Sequence, residues 1–513
     1  MSQTTRRQFL GRVGSGMLVS AAGLGLASEL DLVSFLLASD DDRLDFGELE
    51  PLVTLMQETD ADALMARAAD ELARGTELRT LVAAAALANA RTFGGQDYTG
   101  YHCFMALIPA LEMASRLPGR QAALPVLKVL HRNARTIQGQ GGRRNETLHR
   151  VRSADGLAAE LQGKMIQAAR KGSYGDAEAA FARIMEGGPA VAFASLQPLV
   201  RDNIDVHQVV LAYRSWDMMR LAGESNAHTL LRQTLRECID RDMGRRNQGK
   251  PEPGIRALLP RLLEEHRLGR PVEQRSYLND EESMDLARFF CGTQRDAAAE
   301  RMAMLLAMGV SPVDLGEALS QASALLLLHD PGLARGQAGK PAGSVHGASV
   351  GLHASDSANA WRAIASVSSA ENAHASLVTA AWHTAGQSFG MDTGKLWHED
   401  AKEAASRVKK ADLLPAISEA IRGRDQKTAA ALAERYGETG GDHAKLEELL
   451  IEPAVTFDGA LHHEKYYQTA TEEFARTRAS LRWNHLVALT RVMASGCGFE
   501  APGLAEAKKR LGV

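Results

Sequence analysis

The chain has 513 residues, a formal net charge of -4 and 45% hydrophobic residues. It is long enough to bury a sizeable core. Its basic residues are interspersed with acidic ones, so we expect no nucleic-acid partner. Aromatic residues make up only 5%, which is low for an all-β fold. Alanine, the strongest helix former, is abundant, and the composition therefore favours an all-α protein.

The first 27 residues are typical of an export signal. Arginines at positions 6 and 7 precede Phe9-Leu10 and a weakly apolar stretch from 13 to 27. This order resembles the twin-arginine (Tat) signal. The stretch is too short and too mild for a membrane-spanning helix, which needs about 20 apolar residues. We therefore expect residues 1–27 to be a signal peptide, the Tat translocation machinery to be a partner, and the chain to be exported across the cytoplasmic membrane, to the periplasm or another extracytoplasmic site, without a transmembrane span.

From about Leu49 onward, apolar residues recur with the 3.6-residue period of helices. In chain order, the pattern predicts helices over 59–75, 78–90, 100–114, 124–137, 151–169, 176–185, 206–221, 227–243, 283–308, 314–329, 345–365, 370–385, 411–421, 428–436 and, as two helices, 460–494. No segment alternates like a strand. We predict an array of antiparallel helices, built as one large domain or as two closely packed halves, 28–245 and 254–513.

Several common motifs are missing from the chain. It has no Walker A loop, no G-x-G-x-x-G after a strand, no G-x-S-x-G elbow and no H-E-x-x-H. Nucleotide binding and the common hydrolase mechanisms therefore lose most of their support. Four cysteines are present, none in C-x-x-C. Disulfides are permitted in an oxidising compartment, but Cys103 and Cys238 lie in apolar helical patterns, where buried free thiols are expected.

Histidines are densest between residues 346 and 383. On the predicted helix 345–365, His346 and His353 are seven residues apart and share one face. Glu371 and His374 follow with the E-x-x-H spacing of metal-binding helix bundles. We predict a metal site of His346, His353 and His374, with Glu371 as a further ligand or as a base. Neutral imidazoles suit Fe, Cu or Zn. The alternative is that these histidines are hydrogen-bonded core residues.

Histidines elsewhere also begin apolar helical patterns. His102 and His207 each lie near the start of such a pattern, and we predict that they bind a cofactor. His462 and Tyr466 are four residues apart, on one helix face, and are predicted catalytic residues of a pocket wall that donates and accepts protons. A buried hydrogen-bonded pair would show the same spacing.

A further resemblance rests on short motifs spread along the chain. These are the run 345–349 (VHGAS), a long helix ending in Trp361-Arg362, a following helix that carries Trp382, the pair His462-x-x-Lys465, and Tyr101-His102. In kind and order they resemble questin-oxidase-like proteins. The resemblance implies an all-α fold and an oxygenation of the Baeyer–Villiger type. It also implies that His346, His102 and His462 are pocket residues.

These observations lead to three functional hypotheses. The first is an exported oxidoreductase, assisted by a metal or another cofactor, with a histidine-lined pocket for a small molecule. The second is a non-catalytic helical binding or scaffold protein whose histidines are structural. A hydrolase that uses zinc is the third. The convergence of the named histidines in the fold distinguishes the first from the second.

Overall fold

The computed structural model describes residues 42–202, 204–292, 294–347 and 349–513. These residues form 23 α-helices, with isolated bridges and no β-strand among them. The expected all-α fold is confirmed. The predicted signal peptide, residues 1–27, lies outside the described residues. Within the described part of the chain, no helix combines the length and apolar character needed to cross a membrane.

The helices up to the middle of the chain are bounded as follows: α1 Glu50–Glu58, α2 Ala61–Ala73, α3 Leu78–Phe93, α4 Tyr98–Ala114, α5 Ala123–Gly139, α6 Ala158–Lys171, α7 Tyr174–Met185, α8 Pro189–Asp202, α9 Val206–Ala222, α10 Ala227–Asn247 and α11 Ile255–Glu265. The remaining helices are α12 Asp280–Gly292, α13 Arg295–Ala307, α14 Pro312–His329, α15 Val350–Ser366, α16 Ala370–Thr384, α17 Lys402–Ser406, α18 Leu413–Arg422, α19 Gln426–Glu438, α20 His443–Thr456, α21 His462–Arg476, α22 Trp483–Gly496 and α23 Leu504–Leu511.

The described residues form two compact units of very different size. Residues 42–45 and 148–150 form the small unit, in which an antiparallel bridge pairs Arg43 with His149. Residues 46–147 and 151–513 form the large unit, which contains all 23 helices. The division into halves at 245 and 254 stays a prediction. The four cysteines are buried and free.

Three of the helices absent from the predictions carry a proline in their interior. These are α8, α11 and α20, with Pro198, Pro260 and Pro453. A proline normally ends a helix because it lacks the N–H and its ring clashes with the preceding turn. Tertiary packing overrides that local preference here, and the sequence pattern alone does not show it.

One helix boundary differs from its prediction in a way that affects the candidate site. Helix α15 begins at Val350, five residues after the predicted start. The Ser349 hydroxyl caps it, accepting a hydrogen bond from the Leu352 N–H at 3.3 Å. His346 therefore precedes the helix and does not share a helical face with His353.

Helix α3 is the most deeply enclosed part of the core. Every residue from Leu81 to Phe93 is buried. Its polar members have partners: the Asn89 amide donates to the Gly100 carbonyl at 2.8 Å, and Arg91 pairs with Glu50 at 2.9 Å. A helix buried on all sides needs small side chains, and the alanine-rich sequence supplies them.

Helices α14 and α15 approach each other closely at Gly351. A Cβ at this position would overlap with backbone atoms of Leu327. The backbone at residue 351 has helical geometry, which any residue can adopt. Glycine is required there only because no room exists for a side chain. This contact fixes the position of the first turn of α15, which carries His353.

We expect Gly351→Ala to destabilise the protein by about 1–3 kcal/mol, because the added methyl group forces the two helices apart. Gly163→Ala is the matched control. Gly163 is exposed within α6 and has open space around it. Its replacement should be neutral or stabilising by up to about 1 kcal/mol. Urea unfolding of both variants checks this, and equal free energies of unfolding for the two variants would contradict it.

We expect stability to fall as the pH drops from 7 to 5. Burial lowers the pKa of His485 to about 4, whereas the unfolded value is near 6.5. Between these values the unfolded chain binds more protons, so stability decreases with falling pH. His485 alone should contribute about 2 kcal/mol of this loss. His485→Gln should flatten the pH dependence of the free energy of unfolding by that amount. If the free energy of unfolding depends on pH equally in wild type and variant, His485 is not a source of the loss.

Candidate functional site

Four histidines from four helices meet inside the large unit. They are His102 of α4, His207 of α9, His353 of α15 and His462 of α21, hereafter the histidine quartet. Each lies within the first five residues of its helix. The four helices pack against one another in the same cyclic order, α4 on α9, α9 on α15, α15 on α21 and α21 on α4. Their N-terminal ends therefore converge on one place.

The imidazole rings of the quartet form a closed cycle of contacts. The ring centres of His102 and His207 are 4.8 Å apart. The other three neighbouring pairs, His207–His353, His353–His462 and His462–His102, are each 5.4 Å apart. No ring contact among the described residues joins the two pairs across the cycle.

Local hydrogen bonds fix the orientation of three of the rings. Nδ1 of His102 lies 2.6 Å from the Tyr98 carbonyl oxygen. Nδ1 of His207 lies 2.8 Å from the Asp205 carboxylate, and Nδ1 of His462 lies 3.1 Å from the Gly459 carbonyl oxygen. These oxygens only accept, so each Nδ1 carries the proton and donates. The neutral ring then has its lone pair on Nε2.

The Nε2 atoms of all four rings are buried and have no hydrogen-bond partner in the structure. A buried acceptor without a partner is costly and needs an explanation. Here four buried Nε2 atoms belong to rings that contact one another. Three of them, in His102, His207 and His462, carry a lone pair that meets no hydrogen-bond donor.

Burial keeps the quartet uncharged. It lowers the pKa of each of the four imidazoles, that of His353 to about 3. The buried amine of Lys465, one turn after His462 on α21, lowers all four further by charge repulsion. Burial also lowers the pKa of Lys465 itself, to about 8. The converging helix N-termini act in the same direction, because they carry partial positive charge.

A carboxylate anchors His207 from outside the quartet. Asp205 caps α9 by accepting the His207 backbone N–H at 2.8 Å, and the same oxygen accepts the ring Nδ1–H. Burial alone would raise the pKa of Asp205, but the bonds from His207 hold it below its usual value. Arg241 lies 4.0 Å from Asp205 and donates to the Tyr101 hydroxyl at 2.5 Å. Metal-binding histidines commonly have such a carboxylate behind them.

A cavity of about 430 Å³ adjoins the segments that carry the quartet. Asp97 and Thr99 line it at the start of α4, and Leu461 lines it immediately before His462. Ala460 and Leu461 both have left-handed backbone conformations, with φ of 53° and 65°. Such conformations cost energy in residues other than glycine and cluster at functional sites. The cavity is large enough for a small organic molecule.

The structure does not bring the three predicted metal ligands together. His353 belongs to the quartet. Nδ1 of His346 lies 2.8 Å from the Ser495 hydroxyl, and its Nε2 lies 3.1 Å from the Gly339 carbonyl oxygen. Nδ1 of His374 bonds to the Leu268 carbonyl oxygen at 3.0 Å. Both residues have hydrogen-bond partners suited to structural core histidines.

Of the remaining predicted residues, two lie outside the quartet and three belong to it. Glu371 is exposed in the first turn of α16, away from buried His374. Tyr466 is buried, with its hydroxyl against Ser355 of α15. His102 and His207, predicted as cofactor residues, and His462, predicted as catalytic, lie together with His353. The sequence did contain one relevant signal: His102 and His207 both stand near the start of an apolar helix.

Sequence reasoning did not select Asp205 or Tyr98. An aspartate two residues before a histidine is a common helix cap, so Asp205 carried no functional signal by itself. Tyr98 lies with its ring centre 4.3 Å from that of His102 and 5.3 Å from that of His207. Both residues lie next to the quartet only because α4 packs against α9.

As the side chains stand, no group of three or more His, Cys, Asp or Glu residues in the described ranges is arranged to hold a metal ion. Comparison of the chain with protein-family models, curated proteins and solved structures found no match. The resemblance to questin-oxidase-like proteins therefore stays a prediction from its motifs.

Proposed function

We propose that this protein is a metal-dependent oxidoreductase in which the histidine quartet binds one redox-active ion, iron or copper. The observation that carries the proposal is the set of four buried Nε2 atoms, on mutually contacting rings, that have no hydrogen-bond partner. Imidazole nitrogen is a preferred ligand of both metals.

The spacing of the rings suits a single ion. A metal–nitrogen bond of about 2.0–2.1 Å places the ring centre about 3.2 Å from the ion, so the centres in a tetrahedral shell are about 5.2 Å apart. The four neighbouring pairs, at 4.8 and 5.4 Å, are close to this value. The two pairs across the cycle make no ring contact, so the rings would have to move closer across it to form such a shell. Because the ring nitrogens do not yet form a ligand group, we infer that binding turns the rings about their side-chain bonds.

A water molecule or a proton completes the quartet less well than a metal ion. One water can donate only two hydrogen bonds, which leaves two of the four Nε2 atoms without a partner. A proton on one ring would be a buried charge, and burial opposes it at all four histidines. A divalent ion accepts all four electron pairs at once.

Each surrounding group then has a defined task. Asp205 holds the Nδ1 proton of His207 and orients its ring. The four buried Nε2 atoms are shielded from bulk water, and the adjacent cavity holds the small-molecule substrate. The bound ion would supply the electron-transfer chemistry that protein side chains lack. The motifs that resemble questin-oxidase-like proteins support oxidation as the reaction class, because His102 and His462 are among them.

A non-catalytic helical scaffold is the second candidate. It is favoured by the absence of a formed ligand group within the described residues. In that case the quartet is an aromatic packing cluster, and its Nε2 atoms remain without partners. The two candidates differ in metal content, which is directly measurable.

We expect protein purified without a metal-affinity resin to contain about one iron or copper ion per chain. The double variant H207A/H353A should lose it, because two of four ligands are removed. The matched control H346A/H374A removes two of the histidines that have hydrogen-bond partners outside the quartet and should keep the metal. Elemental analysis and the visible spectrum are the measurements, with circular dichroism to check folding.

Three results would overturn or redirect the proposal. If wild-type protein purified without chelator contains no metal, the oxidoreductase is refuted and the non-catalytic scaffold is the remaining candidate. Loss of metal in the control but not in the quartet variant would place the ion at the site predicted from sequence. Stoichiometric zinc would indicate hydrolysis in place of oxidation, since zinc is not redox-active.

We further propose export by the twin-arginine pathway, supported by the residues around positions 6 and 7. The full chain should appear outside the cytoplasm of a bacterium that has this pathway. Replacing both arginines by lysine should retain it inside, as immunoblots of cell fractions would show. Equal export of both forms would exclude the route.

A further inference from the structure

Tyr98 occupies a position that no other described residue of the site shares. It is the first residue of α4, and its side chain is 55% exposed. Its ring also contacts two members of the quartet, with centre distances of 4.3 Å to His102 and 5.3 Å to His207. One side of the ring therefore faces solvent while another covers histidines whose Nε2 atoms are fully buried.

The main chain at this position is fixed. Asp97 caps α4 by accepting the Gly100 N–H at 2.6 Å, and the Tyr98 carbonyl accepts Nδ1–H of His102 at 2.6 Å. The side chain has fewer constraints, because exposed side chains change rotamer on the picosecond-to-nanosecond timescale. Displacement of the Tyr98 side chain would leave the hydrogen bond to His102 in place, because the main-chain carbonyl makes it.

The residues on either side of Tyr98 face the cavity. Asp97 and Thr99 both line its wall, and Leu461, next to His462, lines it as well. Arg241 and Asp205, the partner of His207, interact electrostatically with the Tyr98 hydroxyl. Tyr98 thus lies between two cavity-lining residues of the chain, is exposed to solvent, and contacts two rings of the quartet.

We infer that Tyr98 is the gate of the histidine quartet: its ring closes the approach to His102 and His207, and its displacement selects by size the molecules that reach them. The role of the gate in turnover rests on the proposed function, but the closure itself does not. A specificity residue of this kind determines access and leaves the ligand set unchanged. We therefore expect Tyr98→Ala to open the approach to the quartet. Tyr98→Phe, which keeps the ring, should leave that approach closed.

The test uses diethyl pyrocarbonate, which acylates neutral imidazole nitrogens that it can reach. The full chain is first treated with chelator, so that the result does not depend on a bound ion. Peptide mass mapping then gives the rate at which each histidine is modified. His443, whose side chain is 46% exposed, is the positive control, and buried His485 reports on folding.

We expect His102 and His207 to be modified about tenfold faster or more in Tyr98→Ala than in wild type, because reactivity follows the open population. Tyr98→Phe should match wild type. Tyr277→Ala removes another exposed tyrosine, 74% exposed outside the site, and should also match wild type. His485 should remain unmodified in every variant. If His485 is modified in Tyr98→Ala, that variant has unfolded. Tyr98→Leu, which keeps an apolar side chain of intermediate size, is then used in its place.

If His102 and His207 are modified at the same rate in wild type and in Tyr98→Ala, the gate is overturned. This holds whether the two histidines are protected in both proteins or accessible in both. A second measurement separates this outcome from failure of the proposed function. Where wild type contains metal, a bulky chelator such as phenanthroline should remove it faster from Tyr98→Ala. Metal-free wild type would overturn the oxidoreductase, while the modification rates would still decide the gate.

Discussion

Four buried Nε2 atoms, on rings that contact one another and without a hydrogen-bond partner, are the feature on which the proposed function of this molecule depends. An imidazole whose Nδ1 already donates can only accept at Nε2, and His102, His207 and His462 are of this kind. Neither the protein nor protonation satisfies them, because burial lowers the pKa of every ring. Binding of a cation, as proposed, would recover the stability lost by leaving them without partners.

The fold brings these atoms together through close helix packing. Helix α15 approaches α14 at Gly351, where a side chain would meet the backbone of Leu327. Alanines over much of α3 likewise allow neighbouring elements to enclose that helix. Small residues thus set the distances between helices, and those distances set the spacing of the rings. The left-handed backbone at Ala460 and Leu461, directly before His462, is a strained part of this arrangement.

Two other buried histidines show what a structural role requires, although Nε2 of buried His463 also lacks a hydrogen-bond partner. His346 has a partner for both ring nitrogens, and Nε2 of His485 contacts the Gln321 amide at 2.9 Å. Their neighbours complete the hydrogen bonding, so nothing further is needed there. The quartet differs in that the Nε2 atoms of all four rings have no partner, and in that His207 and His353 are half-buried. The proposed ligation therefore depends on the second nitrogen of each ring.

The sequence by itself determined the helices and the local hydrogen bonds of the site. Alanine content and the apolar period predicted most helices correctly, and the acceptors of His102, His207 and His462 all lie within four residues of their histidines. Only the tertiary structure decided which histidines meet. Spacing along one chain relates residues on the same helix, whereas the quartet takes one residue from each of four. The cap at Ser349 also removed His346 from the helix that carries His353, a choice between adjacent residues that the 3.6-residue period cannot resolve.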